Sequence, residues 1–145
     1  FVGGKAQTLP QVAEPGQNSS RAITSQKKDT GRDAEKRAAK WLAKQGLTVV
    51  ERTFHCRQGE IDLILLDQDT LVFTEVRWRK HQSHGGALAS VDQHKQRRLI
   101  NAAQHFLARH PEHHHRPCRF DVLGMEPDSQ QAVLYQWIQN AFYSE

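Results

Sequence analysis

The stretch Gly59-Glu60-Ile61-Asp62-Leu63-Ile64-Leu65-Leu66-Asp67, followed after a polar turn by Leu71-Val72-Phe73-Thr74-Glu75-Val76-Arg77-Trp78-Arg79, decides the fold. Each half is an aliphatic and aromatic run of strand length, and the short Asp67-Gln68-Asp69-Thr70 turn makes the two strands antiparallel neighbours. In a strand, successive side chains alternate between faces. Glu60 and Asp62 therefore share one face, with Ile61 and Leu63 on the other. Glu75, Arg77 and Arg79 likewise share a face opposite Trp78. Strands this apolar are half buried, and a carboxylate inside one costs several kcal/mol unless it is paired or holds a metal ion.

Outward from this pair, residues 47–55 form a third strand rich in Thr and Val, so the three make a meander. Before them, Ala34, Ala38, Trp41 and Leu42 recur at three- and four-residue spacing, which predicts a helix over 29–45. Asp29 or Thr30 caps it, and Gly46 ends it in a left-handed conformation. Glu35 falls beside the buried stripe, where it can look into a site next to the core. Downstream, a loop over 83–89 leads to Ser90 as the cap of a second helix. Val91, Leu99, Ile100, Ala103, Phe106 and Leu107 form its stripe, and His110-Pro111 stops it. Strands follow over 119–125 and 132–138. The order is α-β-β-β-α-β, and the long connection through the second helix permits a parallel, right-handed crossover between the third and fourth strands. Residues 1–28 carry scattered Gly, Pro, Asn and Ser without periodicity and read as a disordered tail. Residues 29–145 form one domain, as a 145-residue chain allows.

The formal charge of +4 is unevenly distributed. Residues 77–119 carry nine Lys or Arg against Asp92 and Glu112, a balance of +7, and the remainder carries −3. A basic segment beside an acidic remainder matches either a phosphate-binding face or a solvated helix surface. Apolar runs are only a few residues long, far below the roughly 20 needed to span a bilayer, so no membrane partner is expected. Two cysteines cannot form a disulfide framework, and a reduced cytoplasmic protein is expected. The adjacent histidines at 113–115 lack the separated ligand pairs of a structural zinc site. Asp121, inside the fourth strand, reads as a structural partner for a basic residue.

Asp62 and Glu75 on neighbouring strands, with a cation two residues after the second, support two readings. Cross-strand salt bridges to Arg77 or Arg57 would neutralise them. Alternatively, carboxylate oxygens with room for water and phosphate suit Mg²⁺ or Mn²⁺, and the adjoining positive charge suits an anionic substrate. Metal-assisted phosphodiester hydrolysis joins these features.

Taken together, Gly31…Glu35…Ala38-Ala39…Leu42…Gly46, the two strands quoted above, Val91…Lys95-Gln96-Arg97-Arg98-Leu99…Ala102-Ala103 and Arg119-Phe120-Asp121-Val122 resemble the YraN-like family over about residues 29–125. That family is assigned to the restriction-endonuclease-like superfamily, near the archaeal Holliday-junction resolvases. The resemblance implies an α/β fold with an α-β-β-β-α-β core, a mixed central sheet flanked by helices. It implies a metal-dependent endonuclease acting on DNA, branched DNA included, with Asp62, Glu75 and Glu35 and the carbonyl of Val76 around Mg²⁺ or Mn²⁺. Arg77 stands where the superfamily usually has lysine. Arginine cannot act as a base, although it can stabilise charge on phosphoryl oxygens. The catalytic candidates are thus Glu35, Asp62, Glu75 and Arg77, and those for nucleic-acid contact are Arg79, Lys80, Lys95, Arg97 and Arg98. Lys80 points to the opposite strand face, and Lys95 could supply an ammonium. A non-catalytic nucleic-acid-binding module with the same fold is the alternative. Cutting a two-fold symmetric junction requires a homodimer.

Overall fold

A computed structural model describes residues 7–8, 12–14, 27–80, 86–130 and 132–143. Two short strands, β1 (Gln7–Thr8) and β2 (Val12–Glu14), precede α1 (Lys27–Lys44). The meander follows as β3 (Thr48–Cys56), β4 (Gly59–Asp67) and β5 (Thr70–Trp78). A short helix α2 (Gly86–Ala89), the long α3 (Gln93–Arg109), a 3-10 turn (Pro111–His113), β6 (Cys118–Pro127) and β7 (Val133–Phe142) complete the chain. The sheet order is β1-β7-β6-β5-β4-β3, with β2 also on β7, and all pairs are antiparallel except β5 with β6. The fold is the mixed α/β arrangement expected, and the parallel crossover runs through α2 and α3.

β1 and β2 fall within the stretch expected to be a disordered tail. They pair with the β7 edge through the main chain, which requires no apolar pattern, and composition therefore did not disclose them. The rest of residues 1–26 lies outside the described residues. Lys27, two residues earlier than expected, opens α1.

Two apolar layers cover the sheet. On one face Ala34, Ala38, Trp41 and Leu42 of α1 pack on Leu63, Leu65, Val72, Leu123, Tyr135 and Trp137. Trp41 stacks on Tyr135 at 4.6 Å and meets Trp137 edge-on at 5.8 Å, a geometry aromatic pairs favour. On the other face Leu99, Ala102, Ala103 and Phe106 of α3 pack on Phe54, Ile61, Ile64, Phe73 and Phe120. Gly46 ends α1 at φ +101°, as expected, and Leu47 N–H reaches back to the Leu42 carbonyl.

Ser90 does not cap α3. The cap is Asp92, whose carboxylate accepts the Lys95 N–H at 2.8 Å, a charge-assisted bond at the positive end of the helix. Ser90 instead donates to the Ala87 carbonyl. Gly124 is obligatory under α2, since a Cβ there would lie 2.5 Å from that of Ala87. The histidine run is structural. His114 Nε2 bonds the Leu107 carbonyl, His113 Nδ1 accepts from Arg116, and His110 stacks on Phe106 at 4.1 Å. Asp121 is buried, and its carboxylate accepts from Arg119, Trp137 Nε1 and the Asn140 N–H. It is the structural ion-pair partner its sequence context indicated.

Candidate functional site

The β4–β5 ladder runs from the Asp67–Thr70 pair to Leu63–Thr74. At the next position Asp62 turns its side chain into the gap, and the Val76 N–H donates to Asp62 Oδ2 at 2.8 Å. Strict alternation breaks here. Ile61 packs under α3 while Leu63 packs under α1, although a regular strand would place both on one face. At this break the Asp62 carboxylate accepts the Val76 main-chain N–H.

Four acids converge on this point. Glu35 leaves α1 one residue after buried Ala34, at the edge of the stripe, and accepts from Thr53 Oγ1 at 2.6 Å. Carboxylate oxygens of Glu35, Glu60 and Asp62 all lie within 4.8 Å of one another. Glu75, on β5, is in hydrogen-bonding contact with Asp62. Burial, then the neighbouring Glu75, then Glu35 push the Asp62 carboxyl from its ordinary 3.8 up to about 9, against the lowering effect of the Val76 N–H. The shift favours the protonated form of Asp62.

Cations close the opposite wall. A cavity of about 160 Å³ is lined by Glu60, Asp62, Glu75, Lys95, Arg98 and Leu99, so α3 supplies two positive side chains to a strand-borne acid cluster. Gly59 permits that approach, because a Cβ there would lie 2.8 Å from the Arg98 carbonyl oxygen. Arg77 is held by Ser90 Oγ, which accepts from its Nε at 3.0 Å, and reaches Glu75 at 3.4 Å. Among the described residues Arg79, Lys80 and Arg97 do not line the cavity; Lys80 and Arg97 are exposed, and the Arg79 N–H bonds the Met125 carbonyl. Val76 contributes its N–H to Asp62, and its side chain packs toward α1.

Of the expected site residues, Glu35, Asp62, Glu75 and Arg77 thus come together, with Lys95 and Arg98 beside them. Glu60 was legible as sharing Asp62's face but was not counted as part of the site. Thr53 and Ser90 carried no sequence signal of a role at the site. Of the two readings of the acids, salt-bridge neutralisation is slight. Among the described acids Arg77 pairs with Glu75 at 3.4 Å, and Glu60 meets His55 at 3.1 Å. An oxygen-only, close-packed donor set fits a hard divalent cation.

Fold and site define a mixed-sheet α/β domain with a carboxylate cluster facing a basic helix. The chain belongs to the family described as "Uncharacterised protein family UPF0102", whose model matches residues 34–125, the YraN-like family that its motifs resemble. A UPF0102 protein of Alcanivorax borkumensis is 93% identical over 119 residues, covering 82% of this chain and 95% of the relative. One from Stutzerimonas stutzeri is 49% identical over 120 residues, covering 83% and 99%, and one from Pseudomonas aeruginosa is 47% identical over 116 residues, covering 79% and 93%. No helix among the described residues is long and apolar enough to cross a membrane.

Proposed function

We propose that this chain is a nucleic-acid-binding, nuclease-like protein that hydrolyses DNA phosphodiesters, branched DNA included, with Mg²⁺ or Mn²⁺. The observation that carries the reading is the carboxylate cluster of Asp62, Glu35 and Glu60, with Glu75 beside Asp62, facing Lys95 and Arg98 across one cavity. Like charges gather this closely at a cost, and a divalent cation replacing the Asp62 proton would offset it. Asp62, Glu75 and Glu35 would hold the ion, with the Val76 carbonyl as a further oxygen. When bound, the ion supplies charge that polarises a phosphoryl oxygen and acidifies water.

This chain's own residues supply the rest. Lys95 and Arg98 neutralise and orient phosphates on the far wall, where their helix is fixed by the Gly59 contact. Arg77, anchored by Ser90, offers a permanent positive charge to the developing phosphoryl charge. It cannot remove a proton from water, so that task falls to a carboxylate or to Lys95. The fixed Arg77 also favours a second reading, a binding module with the same fold and no turnover.

Purified protein incubated with linear, single-stranded and branched DNA plus Mg²⁺ or Mn²⁺ tests both. Cutting that Glu75→Ala abolishes supports hydrolysis, and cutting that survives the substitution overturns the site. Binding without cutting leaves the module, and its log affinity should fall linearly with log salt. A flat salt response removes nucleic acid from the reading altogether.

A further inference from the structure

The acid cluster is bordered by a residue with a left-handed backbone, Thr53. Thr53 lies between the Arg52–Leu63 and Phe54–Ile61 pairs of β3 and β4, opposite Asp62 in register. Its φ is +54°, a region that a β-branched side chain adopts only under compulsion from its surroundings. The same strand carries a register shift between Val49 and Glu51, so β3 is distorted on the approach to this position. In that conformation the Thr53 hydroxyl donates to Glu35 Oε1 at 2.6 Å, a short side-chain hydrogen bond between β3 and α1.

We infer that Thr53 is the positioning residue of the site, spending backbone strain to hold Glu35 against Asp62 and Glu60 in a geometry ready for a divalent cation. The inference rests on the metal-site reading above. The hydroxyl holds one Glu35 oxygen, Oε1, and a Glu35 carboxylate oxygen lies within 4.8 Å of those of Glu60 and Asp62. Without the hydroxyl, Glu35 is the member with an escape route, because it sits on a helix edge beside the other acids of the cluster. A hydroxyl delivered from an ordinary extended backbone would project from β3 differently, and the left-handed turn at this one residue brings it to α1.

The test is Mn²⁺ affinity, measured by electron paramagnetic resonance on the full chain, together with metal-free thermal melting. Thr53→Gly relieves the strain and removes the hydroxyl, Thr53→Ala removes the hydroxyl alone, and Thr53→Ser retains it. Thr53→Gly and Thr53→Ala should bind Mn²⁺ roughly tenfold more weakly, in line with the loss of an outer-shell ligand orienter, and Thr53→Ser should stay close to the parent. Thr53→Gly should melt no lower than the parent without metal, which separates the loss of affinity from misfolding. Adding Glu35→Gln to Thr53→Ala should cost no more than Glu35→Gln alone, because both act through one carboxylate. Unchanged affinity in Thr53→Gly and Thr53→Ala, or a Thr53→Ser variant as weak as Thr53→Ala, overturns the positioning role while leaving the metal site standing. Absence of Mn²⁺ binding by the parent chain overturns the metal reading and the positioning role together.

Discussion

Replacing Asp62 by Asn should make the metal-free protein more stable, although it removes a residue from the heart of the site. Asp62 titrates near 9 in the folded chain against an ordinary 3.8. Between those values the folded state binds a proton that the unfolded state has released, so the stability of the parent falls as pH rises through this window. Three pH units separate 3.8 from neutrality, at about 1.4 kcal/mol each, which sets a ceiling of roughly 4 kcal/mol on the penalty at pH 7. Local relaxation and partial access to water reduce this, and a net gain of about 2 kcal/mol is expected from the variant. The Asn carbonyl can still accept the Val76 N–H, and its amide can donate to Glu75, so the variant needs no proton uptake to fit beside Glu75. For a domain of this size the gain is a rise of roughly 5–10 °C in Tm. Circular dichroism melts in EDTA at pH 4, 7 and 9 measure it. The two proteins should melt together at pH 4 and diverge progressively toward pH 9. Saturating Mn²⁺ should then raise the parent and leave the variant unmoved. A difference that does not grow with pH, or an Asn variant that melts below the parent at pH 8, refutes the claim that repulsion among these carboxylates is stored in the fold.

Other outcomes follow from the same geometry. Lys95→Ala and Arg98→Ala should each weaken duplex binding and each lower the slope of log affinity against log salt by about 0.9, as loss of one phosphate contact requires; fluorescence anisotropy across a salt series reads this. Gly59→Ala should displace the Arg98 turn of α3 and weaken DNA binding with little change in Mn²⁺ affinity, since its Cβ would meet the Arg98 carbonyl and not the acids. Asp121→Ala should destabilise the fold by about 3–5 kcal/mol in urea titrations without moving Mn²⁺ affinity, because it leaves Arg119 and the Trp137 indole N–H short of their buried acceptor.

Asp62 and Asp121 mark the limit of sequence reading in this chain. Both are aspartates inside apolar strands, and local pattern alone treats them alike. In the fold, Asp121 lies on the α1 face with Arg119 two residues before it, satisfied by four donor groups. Asp62 instead meets other carboxylates. Their difference is one of neighbours, and those neighbours come from elements far apart in the chain. Ser90 is a similar case. As a potential helix cap it was plausible on residue type, but Asp92 offered a stronger acceptor to the helix end, and Arg77 claimed the Ser90 hydroxyl.

The helices, the meander and the parallel crossover were determined by the chain itself, because amphipathic periodicity is a property of consecutive residues. Ala34, Ala38, Trp41 and Leu42, or Leu99, Ala103 and Phe106, need only their own spacing to define a buried stripe. The break in the alternation of β4 at Asp62, the left-handed Thr53 and the meeting of Glu35 with Glu60 were decided by tertiary structure alone. Each is locally unfavourable, so no local preference announces it. They persist because two apolar layers on either face of the sheet hold the surrounding backbone firmly enough to impose strain and charge repulsion at one point.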